Sequence, residues 1–305
     1  MNETLRAWID LTRLRFFFAW PLLFCSGYLL ATVTYGGFSW PGLGLAALIG
    51  LFGFEAGLVL NDYIDREFDK KDVETGRLTK YWRVYGTRPI PAGLISSRTA
   101  AGLFIGLALL TTGLVLLLPY PNSVWVLLLM FLCYALEIFY QEEKRQQKYP
   151  FAQLIGRLDF AIFPAAGYLC AGKPDVVAFL YFIFFYPFAL AHLGINDLID
   201  IANDYARGMK TIPVIFSMQG AAYWVAGFTA VHIVTALFFM ARLDWIARAG
   251  IVAGLCLMVY ASAVILKHRE EESLPDTTLR VRPCFHVAMV FYAAGIALGA
   301  FHALL

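Results

Sequence analysis

Long apolar runs dominate this chain and restrict what it can fold into. Of its 305 residues, 60% are hydrophobic and 15% are charged, and the mean hydropathy is +0.66. Because backbone groups cannot stay unpaired in lipid, and these runs are too long for barrel strands, we predict helices. The predicted fold class is all-α, a polytopic membrane bundle in a single domain, 1–305. Nine transmembrane helices are expected, at 14–35, 40–62, 98–119, 122–140, 152–172, 176–195, 217–240, 244–266 and 284–304.

Basic residues predict the orientation of these spans. With a cytoplasmic N-terminus, 20 of the 24 lysines and arginines fall on the inner side. The outer side keeps Lys173, Arg242 and Arg248, and Arg157 lies within the fifth run. By the positive-inside rule, we expect a multi-pass protein whose N-terminus and charged loops are cytoplasmic. A net charge of +2 does not indicate a nucleic-acid surface, so the expected large partner is the lipid bilayer alone.

Two stretches of the chain carry nearly the same acidic pattern. The first, NDYIDREFD, runs from Asn61 to Asp69, and the second, NDLIDIAND, runs from Asn196 to Asp204. Each follows an apolar run long enough to cross a bilayer. Residues four apart share a helix face, so Asn61, Asp65 and Asp69 are predicted to stack in one column.

The second motif repeats this column with Asn196, Asp200 and Asp204, and Asp197 lies beside it. Two unit charges about 4 Å apart repel by roughly 4 kcal/mol at an effective dielectric near 20, so such carboxylates take up protons or bind a cation. Oxygen ligands favour Mg²⁺, which takes one or two carboxylates and completes its shell with water and phosphate oxygens. The alternative is that these acids are solvated helix ends with no binding role. The presence of two matched motifs makes that alternative weaker.

The segments that follow the two motifs carry a family resemblance. TRPIPAG, from Thr87 to Gly93, follows the first motif, and DYARGMKTIPV, from Asp204 to Val214, closes the second. Together with the two acidic motifs and the nine runs, they resemble the UbiA superfamily of intramembrane prenyltransferases. The resemblance covers most of the chain.

The resemblance implies a central cavity that opens to the cytoplasm and to lipid, in a prokaryotic cell membrane. Two Mg²⁺ ions would bridge an isoprenyl diphosphate, and an allylic carbocation would be passed to a hydrophobic acceptor, either an aromatic quinone precursor or a lipid hydroxyl. The implied metal ligands are Asn61, Asp65, Asp69, Asp197, Asp200 and Asp204. The implied catalytic residues are Asp65, Asp69, Asp197 and Asp200. The implied substrate-binding residues are Arg88, Lys210, Tyr140, Lys144 and Arg77.

Two inner connections are predicted to carry the function. The loop 63–97 departs from the family, because KKDVETGRLTKYWRVYG separates Asp69 from Thr87, where a short turn is usual. We expect it to cap the site, with Tyr81, Trp82 and Tyr85 packing on substrate or membrane interface; a tolerated surface insertion is the alternative. The second connection, 197–216, combines the second acidic motif with its basic loop.

A cation-coupled membrane transporter is the competing class of function, because intramembrane acids also line ion routes. It predicts helices broken near the bilayer midplane at matching places in both halves, whereas these acids lie at span ends.

Two polar residues are left out of the predicted site. Glu55 is expected to be protonated or paired with Arg157, and His192 to be a neutral histidine bonded to another helix rather than a base.

Overall fold

The computed structural model describes residues 2–304, and within that range it contains helices and no strands. The all-α prediction is therefore confirmed. The helices are α1 Glu3–Leu11, α2 Ala19–Tyr35, α3 Trp40–Asp69, α4 Leu78–Trp82, α5 Ser97–Val115, α6 Asn122–Glu143, α7 Phe151–Gly156, α8 Leu158–Leu169, α9 Val176–Arg207, α10 Ile212–Met240, α11 Trp245–Lys267 and α12 Leu274–Leu304, with a 3₁₀ turn at Leu14–Phe16.

Eight helical segments among the described residues are long and apolar enough to cross a membrane, so the chain is a multi-pass membrane protein. The predicted fifth span differs, because 152–172 folds as the two short helices α7 and α8, and a ninth continuous span is not confirmed. The break falls at Arg157, whose guanidinium lies 2.7 Å from Glu137 and 3.3 Å from Asp159. A buried arginine needs such carboxylate partners, and turning the chain at this residue brings them within reach.

Two unusually long helices carry the acidic motifs. With 30 and 32 residues, α3 and α9 are roughly 45 and 48 Å long, about 15 Å more than the hydrocarbon core of a bilayer. Asp175 begins α9 by accepting a hydrogen bond from the Ala178 backbone N–H at 2.8 Å, and Gly208 ends it with φ 73°. Each motif therefore occupies the last turns of its helix, where the chain can leave the apolar layer.

Small residues allow α2 and α8 to pack with their backbones in contact. A Cβ added to Gly27 would collide with the carbonyl oxygen of Pro164, and one added to Gly167 would collide with that of Phe24. Since apolar burial does not drive association in lipid, such close approach is a main source of helix affinity. This crossing lies behind the wall of the cavity described below, to which Phe163 of α8 contributes.

Candidate active site

The first acidic row consists of Asn61, Asp65 and Asp69 at the end of α3, and its carboxylates have cationic partners from elsewhere in the chain. Asp65 accepts a hydrogen bond from Lys144 Nζ at 2.6 Å. Asp69 accepts one from Arg88 at 2.7 Å. Both carboxylates are buried, so these charge-assisted bonds act in a low dielectric, where they are strong.

Asn61 connects the first row to a buried carboxylate on α6. Its Nδ2 donates to Glu137 at 2.7 Å, and its Oδ1 accepts from Arg13 at 3.1 Å. Glu137 also accepts from Arg157 at 2.7 Å. The sequence prediction missed Glu137, although a charged residue inside an apolar run is itself a signal of function.

The second acidic row consists of Asp197, Asp200 and Asp204 in the last turns of α9, and two of its members have neutral donors. Asp197 accepts from the backbone N–H of Ile212 at 3.3 Å, and Asp204 accepts from the Thr211 hydroxyl at 2.7 Å. All three carboxylates are buried. The second row therefore has fewer cationic partners for its carboxylates than the first, since Arg207 is the cation near Asp200 and Asp204.

Arg207, the last residue of α9, brings the two rows together. Its Nη2 lies 3.3 Å from Asp69, and its Nη1 lies 3.3 Å from Asp200. Its Nε also donates to Asp72, in the loop after α3, at 2.6 Å. Since one planar guanidinium contacts both rows, the two acidic helix ends face each other across a gap of a few ångströms.

A cavity of about 260 Å³ lies between these helix ends. Aromatic side chains close its deeper part, where Trp20 stacks on Phe54 with ring centroids 3.8 Å apart and Phe54 packs against Phe163 at 4.9 Å. A polar end thus meets an apolar end within one cavity. The predicted site residues that line it are Asn61, Asp65, Arg88, Tyr140, Lys144, Asp197, Asp200 and Asp204.

Three predicted residues do not line the cavity. Asp69 lies behind the wall, bonded to Arg88 and Arg207 as described. Arg77 points elsewhere and pairs with Asp276 at 2.8 Å. The side chain of Lys210 is exposed, and its backbone N–H donates to the carbonyl of Lys144 at 2.7 Å. The roles expected of these residues stay predictions.

The expanded loop reaches over the second row. Asn203 of α9 accepts hydrogen bonds from the backbone N–H groups of Val73 and Glu74, both at 2.9 Å. Its amide also donates one to the Glu74 carbonyl at 2.7 Å. Beyond this attachment, α4 places Leu78, Thr79 and Trp82 against the cavity. The loop therefore forms part of the cavity wall, although sequence reasoning left its role open.

Two arginines from the same loop, the buried Arg83 and the partly buried Arg88, differ in their electrostatic surroundings. Burial lowers the pKa of Arg83 to about 10, although Asp62 accepts two of its hydrogen bonds, at 2.9 and 2.7 Å. Burial acts on Arg88 in the same direction, but Asp69, Asp200 and Asp72 outweigh it and raise the pKa of Arg88 above its usual range. Arg88 therefore stays fully charged beside both acidic rows.

The two residues left out of the predicted site have different surroundings. Neither carboxyl oxygen of Glu55 has a hydrogen-bond partner among residues 2–304, and Arg157 pairs with Glu137 and Asp159 instead. His192 lines the cavity and bonds to a histidine of α12, as expected of a histidine held by another helix.

The acidic rows fit a metal that takes only part of its shell from protein. Within residues 2–304, no group of three or more His, Cys, Asp or Glu side chains is arranged so that it could hold a metal ion by itself. Every donor in the rows is oxygen, and Asp65 Oδ1 is buried with no hydrogen-bond partner in the described chain. Mg²⁺ suits this set, because it uses one or two carboxylates and takes its other ligands from water and phosphate.

Comparison with known proteins then decides the family. The model of the UbiA prenyltransferase family matches residues 18–280. The chain belongs to this family. It is a membrane-embedded prenyltransferase, and the family match gives no support to the transporter alternative.

Individual relatives in this family include two named enzymes. The digeranylgeranylglyceryl phosphate synthase of Thermococcus kodakarensis is 30% identical over 222 residues, which are 73% of this chain and 71% of that protein. The 4-hydroxybenzoate octaprenyltransferase of Alkalilimnicola ehrlichii is 28% identical over 218 residues, 71% and 69% of the two chains. A solved UbiA homologue from Archaeoglobus fulgidus, bound to DMAPP and Mg²⁺, shares the fold with a TM-score of 0.68 and 16% identity, covering 97% of this chain and 99% of its own.

Proposed function

We propose that this prenyltransferase binds an isoprenyl diphosphate between its two acidic rows and transfers the isoprenyl group to a hydrophobic acceptor. The observation that carries the proposal is the position of Arg207, within 3.3 Å of Asp69 in one row and of Asp200 in the other. Rows that are close enough to share one cation are also close enough for metal ions held by them to bind one diphosphate.

In this proposal, the first row would hold one Mg²⁺ and the second row would hold another. Bound there, the ions supply neutralisation of the diphosphate as it leaves. Magnesium is supported by the oxygen-only donor set of the rows. The solved homologue that was bound to DMAPP and Mg²⁺ supports the same assignment.

Two cations of the protein complete the diphosphate site. Arg88 presents a planar fork that grips phosphate oxygens in pairs, and Lys144 supplies a point charge. Both line the cavity and are held by carboxylates of the first row, at 2.7 and 2.6 Å. They are therefore positioned before the donor arrives, which lowers the entropic cost of binding it.

The apolar end of the cavity suits the isoprenyl chain and its cation. Ionisation breaks the bond between the allylic carbon and oxygen, and the electron pair leaves with the diphosphate. Trp20, Phe54 and Phe163 line this end of the cavity. Aromatic rings there stabilise a nearby cation through their quadrupoles, and the apolar walls exclude water, which would otherwise quench it.

The proposal is tested by direct assay of the purified protein in lipid with Mg²⁺. Isoprenyl diphosphates of several lengths are combined with 4-hydroxybenzoate and with glycerol phosphate lipids, the acceptor classes indicated by the two named relatives, and products are identified by mass. We expect one acceptor class to be prenylated and EDTA to abolish the product. Transfer that survives both Asp65→Ala and Asp200→Ala would contradict the role of the rows.

The proposed location is a prokaryotic cell membrane with the N-terminus and the acidic helix ends in the cytoplasm. Support comes from the charge bias of the loops, since Lys173, Arg242 and Arg248 are the basic residues of the predicted outer connections. Single cysteines placed at Lys210 and at Arg242 in intact cells test it. An impermeant thiol reagent is expected to label position 242 and to leave position 210 unlabelled; the reverse pattern would contradict this orientation.

A further inference from the structure

Two histidines from different helices form a hydrogen-bonded pair in the wall of the cavity. His192 of α9 and His286 of α12 face each other with their Nε2 atoms 3.1 Å apart. His286 Nδ1 lies 2.9 Å from the hydroxyl of Tyr81 in α4. Both histidines line the same cavity as the acidic rows.

The histidine pair lies at the depth in the cavity where the allylic carbon of a bound donor is expected. His192 precedes Asp197 by five residues and Asp200 by eight on the same helix. At a rise of 1.5 Å per residue, it lies roughly 7 to 12 Å from these acids along the helix axis, on the apolar side. A diphosphate held at the level of the acids therefore places the first carbons of its isoprenyl chain near the level of His192.

The hydrogen-bond pattern leaves one ring nitrogen for a ligand. Because only one proton fits between the two Nε2 atoms, the ring whose Nε2 accepts this bond carries its proton on Nδ1. When His286 Nδ1–H donates to Tyr81 and His192 Nε2–H donates to His286, His192 Nδ1 keeps a lone pair. His192 Nδ1 has no hydrogen-bond partner among residues 2–304. It is also not among the buried polar atoms of that range that lack a partner, so the atom itself is not buried.

Tyr81 is held in place beside His286 by contacts of its ring and of its backbone. The guanidinium of Arg282 lies over its ring, 3.9 Å from the centroid, and Phe16 stacks on it at 5.6 Å. Its backbone carbonyl accepts from Arg15 at 2.9 Å. Burial raises the pKa of Tyr81, so its hydroxyl stays protonated at neutral pH. A protonated hydroxyl accepts from His286 in the tautomer that leaves the lone pair on His192 Nδ1, and it donates to His286 in the opposite one.

We propose that His192 is a catalytic residue that removes the proton lost by the acceptor, and that His286 and Tyr81 are positioning residues that fix its tautomer. This inference rests on the prenyl transfer proposed above. Once the carbon–oxygen bond to diphosphate has broken, the acceptor atom forms a bond to the allylic carbocation. The oxonium or arenium ion so formed gives its proton to His192 Nδ1, and the pair releases it to water when product leaves. A weak base suffices, because such ions are strong acids.

The test compares His192→Ala and His192→Gln with His232→Ala. His232 is a matched control, because it is also a buried histidine in a helix pair, bonded to the Phe184 carbonyl at 2.8 Å and to Tyr292 at 3.1 Å, away from the cavity. Three quantities are measured: binding of geranyl thiolodiphosphate with Mg²⁺, transfer at saturating donor and acceptor, and transfer with added imidazole.

We expect both His192 variants to bind the donor analogue within about twofold of wild type and to lose transfer by roughly 10²- to 10⁴-fold. Imidazole is expected to restore the His192→Ala variant at least tenfold, and to leave His192→Gln and His232→Ala unchanged. Tyr81→Phe is expected to lower kcat about tenfold with an unchanged KM for the acceptor, because a tautomer is lost and no binding contact is removed.

Separate outcomes overturn the inference and the proposed function. A wild-type protein that prenylates no acceptor contradicts the proposed function itself. If wild type is active and His192→Gln keeps more than a tenth of its rate, His192 is not the base. If the donor still binds to His192→Ala and imidazole restores nothing, the histidine is structural and the inference is wrong.

Discussion

The two acidic rows are similar in sequence but differ in how their charge is balanced. In the first row, Asp65 is paired with Lys144 at 2.6 Å and Asp69 with Arg88 at 2.7 Å. In the second row, Asp197 and Asp204 accept from a backbone N–H and from a hydroxyl, which carry no net charge. On this difference we propose a division of labour, in which the first row also positions cations for phosphate and the second row has more charge available for a metal.

Arg207 is what the two rows share. It lies against both of them and against Asp72 of the expanded loop. Buried charges are tolerated when they are paired. Removal of one partner leaves the remaining charges unpaired in a low dielectric. The charges of the site therefore balance as a unit, and substitution of any one of these residues changes that balance.

The largest effect is expected from the second row. Asp200→Asn removes charge from the row that has the least compensation, and we expect transfer to fall by about 10³-fold, the equivalent of roughly 4 kcal/mol of transition-state stabilisation. The Mg²⁺ concentration for half-maximal rate is expected to rise as well. Asp276→Asn, at an exposed carboxylate that pairs with Arg77, is the matched control and should leave both quantities unchanged. An unchanged Mg²⁺ requirement in Asp200→Asn would contradict the division of labour.

A comparable effect is expected on stability when the shared cation is lost. Arg207→Met keeps an unbranched apolar stem but leaves Asp69, Asp72 and Asp200 without this cationic partner. Breaking a buried pair in this way costs about 3 to 5 kcal/mol. Thermal unfolding in detergent should shift to lower temperature. We expect Mg²⁺ with pyrophosphate to recover part of the shift. Arg248→Met, at an exposed arginine in the first turn of α11, controls for loss of an arginine and should not shift unfolding.

A smaller effect tests the pairing within the first row. Asp65→Asn and Lys144→Met are each expected to lower transfer about 10- to 100-fold. Because each leaves the other residue unpaired, the double variant should be less impaired than the product of the two effects, with a coupling of about 1 to 3 kcal/mol. Rates of the four proteins complete the cycle. Strict additivity would show that the 2.6 Å contact has no part in the reaction.

The smallest effect is expected in the loop. Asp72 accepts from Arg207 at 2.6 Å and lies 2.9 Å from Arg88. We propose that it competes with phosphate for both guanidinium groups. Burial raises the pKa of Asp72, against the influence of Arg88 and Arg207. Asp72→Asn should therefore tighten pyrophosphate binding a few-fold, about 1 kcal/mol by calorimetry. Weaker binding would mean that Asp72 orients the arginines rather than competing with phosphate.

Much of the fold could be predicted from the sequence, because lipid leaves a chain few choices. Runs of about 20 apolar residues must form helices, and the predicted runs at 40–62 and 176–195 lie within α3 and α9. The run at 152–172 was predicted wrongly as one helix. Hydropathy averages over a window and does not register that Arg157 must turn toward Glu137 on another helix.

The candidate site could be predicted in part. Spacing within one helix placed Asn61, Asp65 and Asp69 on one face, and the structure brings the members of both motifs to one cavity or directly behind its wall. Residues whose partners lie far away along the chain were missed or misplaced. Arg77 was expected at the diphosphate but pairs with Asp276, 199 positions away. No local pattern reports such a contact.

The sequence by itself determined that this chain crosses a membrane by helices and carries two acidic helix ends, because apolar length and four-residue spacing are local properties. The tertiary structure alone decided which charge neutralises which. It placed Arg207 between the rows and joined His192 to His286, 94 residues apart. Such pairings follow from how helices cross, and helix crossings depend on close backbone contacts such as that of Gly27 with α8.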